Sequence, residues 1–95
     1  MYTIYVVFKC YDNKREDFVN QIRKEGILDA VLKEDGCKRY DYYFSEKDPN
    51  ELLLIEAWES KEHQQIHIAQ PHMARLRELK EGRVISTTRG EFEIK

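Results

Sequence analysis

Apolar positions alternate along residues 2–11: Tyr2, Ile4, Val6, Phe8 and Cys10 share one face of a strand, and Tyr5, Val7 and Tyr11 share the other. Both faces are greasy, so both need a cover. Asp12-Asn13 is a turn and helix-start signal. The spacing then turns helical. Phe18, Val19, Ile22, Leu28, Val31 and Leu32 fall near one stripe and predict a helix over residues 14–33. Gly26 marks a kink in it, because a helical glycine costs about 1 kcal/mol relative to alanine. Asp35-Gly36 closes this helix. Residues 38–45 read as an aromatic-rich strand, 46–50 as a turn punctuated by Pro49, and 51–59 as a third strand. So short a link predicts an antiparallel hairpin.

On the third strand Leu52, Leu54, Glu56 and Trp58 share one face, while Leu53, Ile55 and Ala57 share the other. Ser60 is placed to cap a helix that runs to about Ala69. Pro71 suits the first turn of a second piece over residues 71–80, with Met73, Leu76 and either Leu79 or Lys80 as its stripe. Glu81-Gly82 ends it. Residues 83–94 predict a last strand with Val84, Ile85, Phe92 and Ile94 as apolar positions and Gly90 as a bulge site. The order β-α-β-β-α-β is an α+β, ferredoxin-like plan with an antiparallel sheet and helices on one face. The bare face would still be apolar on strands one and three. A homodimer with the two sheets packed face to face, a dimeric α/β barrel, is therefore expected; a standard interface at about 25 cal/mol per Å² is a large stabilising term.

Composition narrows the classes. The 95 residues suit a single domain over 1–95, with 41% hydrophobic residues for a core and 36% charged residues for the surface. Net charge is -2, with Lys and Arg spread along the chain, which argues against nucleic acid or a basic membrane patch as partner. No apolar run approaches the roughly 20 residues of a membrane span. The first residues lack a charged region and a small-residue cleavage site, so a cytoplasmic location is expected. Cys10 and Cys37 make no disulfide framework and no CxxC, and read as buried reduced thiols.

Chemistry concentrates in the third strand and the helices after it. Glu56 and Trp58 point to one face, and an inward carboxylate needs a partner. An Arg or Lys, with Arg75 and Arg77 as candidates, or backbone amides can bridge Glu56; a general-base role is the alternative. Trp58 supplies a large flat wall. His67 lies on the following helix and can hang its ring over that face, as a proton carrier or as a satisfied buried histidine. His63 and His67 stand one helical turn apart, the spacing of a metal pair, but no third ligand and no HExxH accompany them, so no metal is expected. His63 then reads as a solvated first-turn residue and His72 as a helix-start residue. Tyr42 shares a face with Tyr40 and offers a phenol to a pocket or a dimer contact. Arg39, Arg83 and Arg89 near strand ends default to solvated charge.

Three pieces resemble the antibiotic biosynthesis monooxygenase family of small dimeric α+β barrels. They are Glu34-Asp35-Gly36-Cys37 with Tyr40, then Leu54-Ile55-Glu56-Ala57-Trp58-Glu59, then His67 with Pro71-His72-Met73. Asp35 stands where the family has Pro, and Met73 where an aromatic is common. The resemblance covers nearly the whole chain. It implies oxygenation of a small aromatic or quinol by molecular oxygen without flavin, haem or metal, in a dry cavity with a base. It implies Trp58 as cavity lining, His67 as acid/base, and Glu56 as the residue that tunes them. Tyr42, His72 and Met73 are the substrate-binding candidates. Some relatives degrade haem, but strand one offers Val6, Val7 and Phe8 where they carry Asn, and Asn13 lies too late. Others isomerise a phosphorylated signalling sugar, which needs an anion site. A non-catalytic small-ligand-binding dimer is the remaining alternative.

Overall fold

A computed structural model of the chain describes residues 1–92. Eight elements follow in order: β1 (Tyr2–Cys10), α1 (Arg15–Lys24), α2 (Ile27–Leu32), β2 (Cys37–Phe44), β3 (Glu51–Trp58), α3 (Lys61–Ile68), α4 (Pro71–Leu79) and β4 (Val84–Glu91). The strands form one antiparallel sheet in the order β2-β3-β1-β4, the ferredoxin-like arrangement. β1 lies between β3 and β4, hydrogen-bonded on both edges, and is rich in β-branched and aromatic residues that suit a strand. Helices cover one face only, so the molecule is a slab of 35 × 33 × 17 Å. No helix among the described residues is long and apolar enough to cross a membrane.

The expected long first helix is two helices. Gly26 sits between them at φ 75°, a left-handed conformation that a single helix cannot absorb. α1 keeps acids in its first turn and bases in its last, as its dipole favours. Phe18, Ile22 and Val31 are fully buried, but Leu32 is 52% exposed and does not belong to the stripe. The break at Gly26 rotates α2 relative to α1, which the 3.6 period alone does not register.

Two details of β4 also differ from expectation. The irregular pairing lies between Lys9 and Cys10 of β1, not at Gly90. Gly90 instead carries the Tyr5 ring over its backbone, where any Cβ would collide. Ile85 and Phe92 are exposed; Phe92 meets Tyr5 edge-on at 5.4 Å, outside the core. Ile94 lies outside the described residues.

The sheet's two faces follow the alternation. Ile4, Val6 and Phe8 of β1 and Leu52 and Leu54 of β3 are buried under the helices. Tyr5, Val7, Leu53 and Ile55 point to the other face, where no helix packs, and remain partly exposed. Cys10 is buried, whereas Cys37 is only half-buried; both are free thiols, and burial pushes both up from the ordinary thiol range.

Candidate active site

α3 and α4 roof the part of the sheet where β3 places Glu56 and Trp58. Ser60 caps α3 through its hydroxyl, which accepts from the His63 amide. The chain then breaks at Gln70, and Pro71 starts α4 where a missing N–H costs nothing. His67 closes α3 and His72 opens α4, so the break brings together two imidazoles five residues apart. Both donate to the same carboxylate oxygen: His67 Nδ1 to Glu34 Oε2 at 2.7 Å, and His72 Nε2 to Glu34 Oε2 at 2.9 Å. Glu34 comes from the turn between α2 and β2, so one oxygen ties three segments together.

His67 is 1% exposed. Its ring stacks on Trp58, with centroids 4.6 Å apart and planes 32° from parallel, and meets Tyr40 edge-on at 5.5 Å. Three neighbours thus fix one imidazole: a carboxylate at Nδ1, an indole on its face and a phenol at its edge. Glu34 selects the tautomer with the proton on Nδ1, which leaves the Nε2 lone pair free. No hydrogen bond among the described residues engages Nε2.

Glu56 is 4% exposed and accepts from Trp58 Nε1 at 2.9 Å. Burial pushes its carboxyl above the usual carboxylate range; the indole N–H, His67 and Arg89 pull the other way. The expected Arg75 or Arg77 bridge is not formed. Arg75 is held by Glu25 at 2.6 Å, and Arg77 donates to the Ile68 carbonyl. An indole N–H fills the role because Trp58 lies two residues along the same strand face.

A cavity of about 160 Å3 opens between this sheet face and α3 and α4. Ile4, Val6, Phe8 and Leu54 form its floor, and Met73 and Leu76 its roof. His67, Glu56, Gln64 and Tyr40 supply its polar inner wall, and Arg77, Lys80, Thr87 and Arg89 its rim. Among the expected site residues, His67, Glu56 and Met73 reach this space together. Trp58 does not line it: fully buried, it stands behind His67 as a support. His72 is also off the lining and acts on Glu34 instead. Tyr42 is absent from the lining too. Its buried hydroxyl has no hydrogen-bond partner among the described residues, and burial pushes its phenol up. Its ring meets Tyr40 edge-on at 6.0 Å.

His63 is not the solvated residue expected. Its ring packs on the bare backbone of Gly36, its Nδ1 lies 2.6 Å from Ser60 Oγ, and its Nε2 lies 3.4 Å from Asp35. It therefore forms no pair with His67. The donor set that does converge is Glu34, His67 and His72, whose ligand atoms lie within 4.8 Å of one another. One carboxylate and two imidazoles fit a divalent ion chemically, and the same atoms already satisfy each other by hydrogen bonds. Sequence reasoning passed over Glu34, Gln64 and Tyr40 as site residues. The family-like run around Glu34 and Tyr40 was the signal available for two of them.

The comparisons agree with this architecture. The family model described as "Antibiotic biosynthesis monooxygenase" matches residues 1–79. The Escherichia coli K12 protein named "Probable quinol monooxygenase YgiN" is 33% identical over 79 residues, which span 75% of this chain and 74% of that protein. A solved structure from Pseudomonas aeruginosa shares the fold at a TM-score of 0.85 and 17% identity, covering 99% of this chain and 93% of its own. A crystal structure of an antibiotic biosynthesis monooxygenase does so at 0.85 and 20% identity, covering 100% and 99%.

Proposed function

The chain belongs to the antibiotic biosynthesis monooxygenase family, and from that premise we propose that its cavity oxygenates a small hydroxyarene or quinol with molecular oxygen. The observation that carries this reading is His67 on the wall of a largely apolar space, with Nδ1 held by Glu34 and no hydrogen bond among the described residues at Nε2. In this reading Nε2 takes the proton of the substrate hydroxyl. The resulting electron-rich ring reduces oxygen itself. One oxygen atom enters the ring and the other leaves as water, and all four electrons come from the arene; hydroquinone plus dioxygen gives hydroxyquinone plus water. No further reductant is needed for that balance. The protein contributes orientation, exclusion of water and a fixed base. Trp58 and Glu34 act as positioning residues for His67. Glu56, on the same wall, is placed to hydrogen-bond the substrate's second oxygen.

Oxygen uptake against a panel of hydroquinones tests the reading, with labelled dioxygen tracing one atom into product. Uptake that depends on His67 supports it. Turnover unchanged in His67→Ala overturns the catalytic assignment.

The same reading includes a homodimer built through the helix-free face of the sheet. Val7, Leu53 and Ile55 sit there with Tyr5 and Phe92, an apolar surface that water covers poorly. Light scattering at micromolar concentration is expected to give twice the 11.5 kDa chain mass, and a monomer would remove this part of the proposal.

A further inference from the structure

Some cations of this chain are ion-paired, others stand singly on the exposed surface, and three gather at one opening. Lys9, Arg15, Arg39, Arg75 and Arg83 each hold a carboxylate within ion-pair distance. Arg77, Lys80 and Arg89 hold none among the described residues, and all three stand on the rim of the one cavity described above. Arg77 and Lys80 are three residues apart at the end of α4, so they face the same way and repel. Burial and the charge of Arg77 both push the Lys80 ammonium down from the ordinary lysine range. Its Nζ lies 5.6 Å from the ring of Phe8, which is part of the cavity floor. Arg89 reaches the rim from β4 on the opposite side. Three cations around one opening make a positive rim that attracts an anion.

Size and polarity restrict what that anion is attached to. A dry cavity of about 150 Å3 holds one benzene ring. This cavity, at about 160 Å3, therefore takes a single ring and leaves a substituent at the mouth. The inner wall carries the acid Glu56 and the base His67, while the rim is positive. An anionic group is repelled inward and attracted outward, which sets one orientation.

We propose that the substrate is a single-ring hydroxyarene bearing an anionic substituent, bound with its hydroxyl at His67 and its anion among Arg77, Lys80 and Arg89. This deepens the oxygenase reading and rests on it for the identity of the site.

Four probes separate charge from shape: hydroquinone, gentisate, hydroquinone sulfonate, and gentisamide as the neutral match of gentisate. Three exposed or half-buried ion pairs together give about a tenfold preference in kcat/KM for gentisate over gentisamide at low salt. The sulfonate is expected to follow gentisate, and the ratio is expected to shrink as salt screens the rim. In a variant carrying Arg77→Gln, Lys80→Met and Arg89→Gln the ratio is expected to approach one. The salt dependence of the wild-type ratio carries the test if that variant does not fold. Equal kcat/KM for gentisate and gentisamide in the wild type overturns the proposal, as does a ratio that neither salt nor the substitutions change. A preference for gentisate that the sulfonate does not share restricts the anion to a carboxylate. Anaerobic binding, read by quenching of the lone Trp58, separates the two layers. Tighter binding of gentisate with no oxygen uptake from any probe upholds the anion site and removes the oxygenase. Oxygen uptake indifferent to charge does the reverse.

Discussion

Two pairs of helices roof the same face of the sheet, and they bury different things. Under α1 and α2 the interior is hydrocarbon: Phe18, Ile22, Val31 and Leu28 pack against Phe8 and its neighbours, with Phe8 and Phe18 edge-on at 5.5 Å. Under α3 and α4 it holds Glu56, Gln64 and His67, together with a void. A close-packed apolar core maximises stability. A buried acid, amide and imidazole beside a void do not, and such a compromise is what a reactive pocket requires. One half of the roof holds the fold, and the other half uses the rigidity it supplies.

Substitutions can break or sharpen this division. The largest stability loss is expected from Phe18→Ala, at about 3–5 kcal/mol, read by denaturant unfolding. Ligand affinity extrapolated to the folded fraction is expected to stay unchanged. His67→Ala is expected to invert the pattern, with kcat down at least about a hundredfold, or ~2.7 kcal/mol of barrier, and a smaller loss of stability. Equal stability losses in these two variants would erase the contrast. Glu34→Ala leaves two imidazole N–H groups without their charged acceptor, for a stability loss of about 1.5–3 kcal/mol together with lower kcat.

Glu56→Gln is expected to raise stability at neutral pH. Burial raises the folded-state pKa of Glu56 above its unfolded value. Its favourable contribution is therefore complete in acid and is lost as pH rises through the folded pKa. The amide avoids that loss, so the gap between variant and wild type should close as pH falls below the ordinary carboxylate range. A gap that widens in acid contradicts the burial argument. Tyr42→Phe removes an unpaired buried hydroxyl and is expected to add about 1 kcal/mol, with activity intact because Tyr42 is not on the cavity wall.

The apolar half of the molecule was legible in the sequence because its logic is local. Alternation on β1 and β3 gave the correct buried faces, and the order of elements led to the ferredoxin-like sheet. The failures there were at φ-dependent points. Gly26 ends one helix rather than bending it, and Gly90 makes room for a ring rather than a bulge. The polar half was legible only in part. His67, Glu56 and Met73 share the cavity lining, whereas Trp58, expected as lining, stands behind it, and Tyr42, left open between pocket and dimer contact, is off it. Periodicity says which side of a strand a residue takes, not how deep it ends or what stands in front of it. Glu34 escaped for a different reason. Its partners lie 33 and 38 residues away, and only the packing of α3 and α4 against the α2–β2 turn brings them within reach.

The sheet order has a kinetic cost. β1 hydrogen-bonds to β4, so Ile4 pairs with Glu91 and Val6 with Arg89. Closing so long a loop comes before its contacts can stabilise it, and mixed topologies of this kind fold more slowly than helical bundles. Until β4 arrives, β1 presents an unpaired edge beside the half-formed pocket. A chain emerging from the ribosome would spend that interval with one edge of its central strand unpaired.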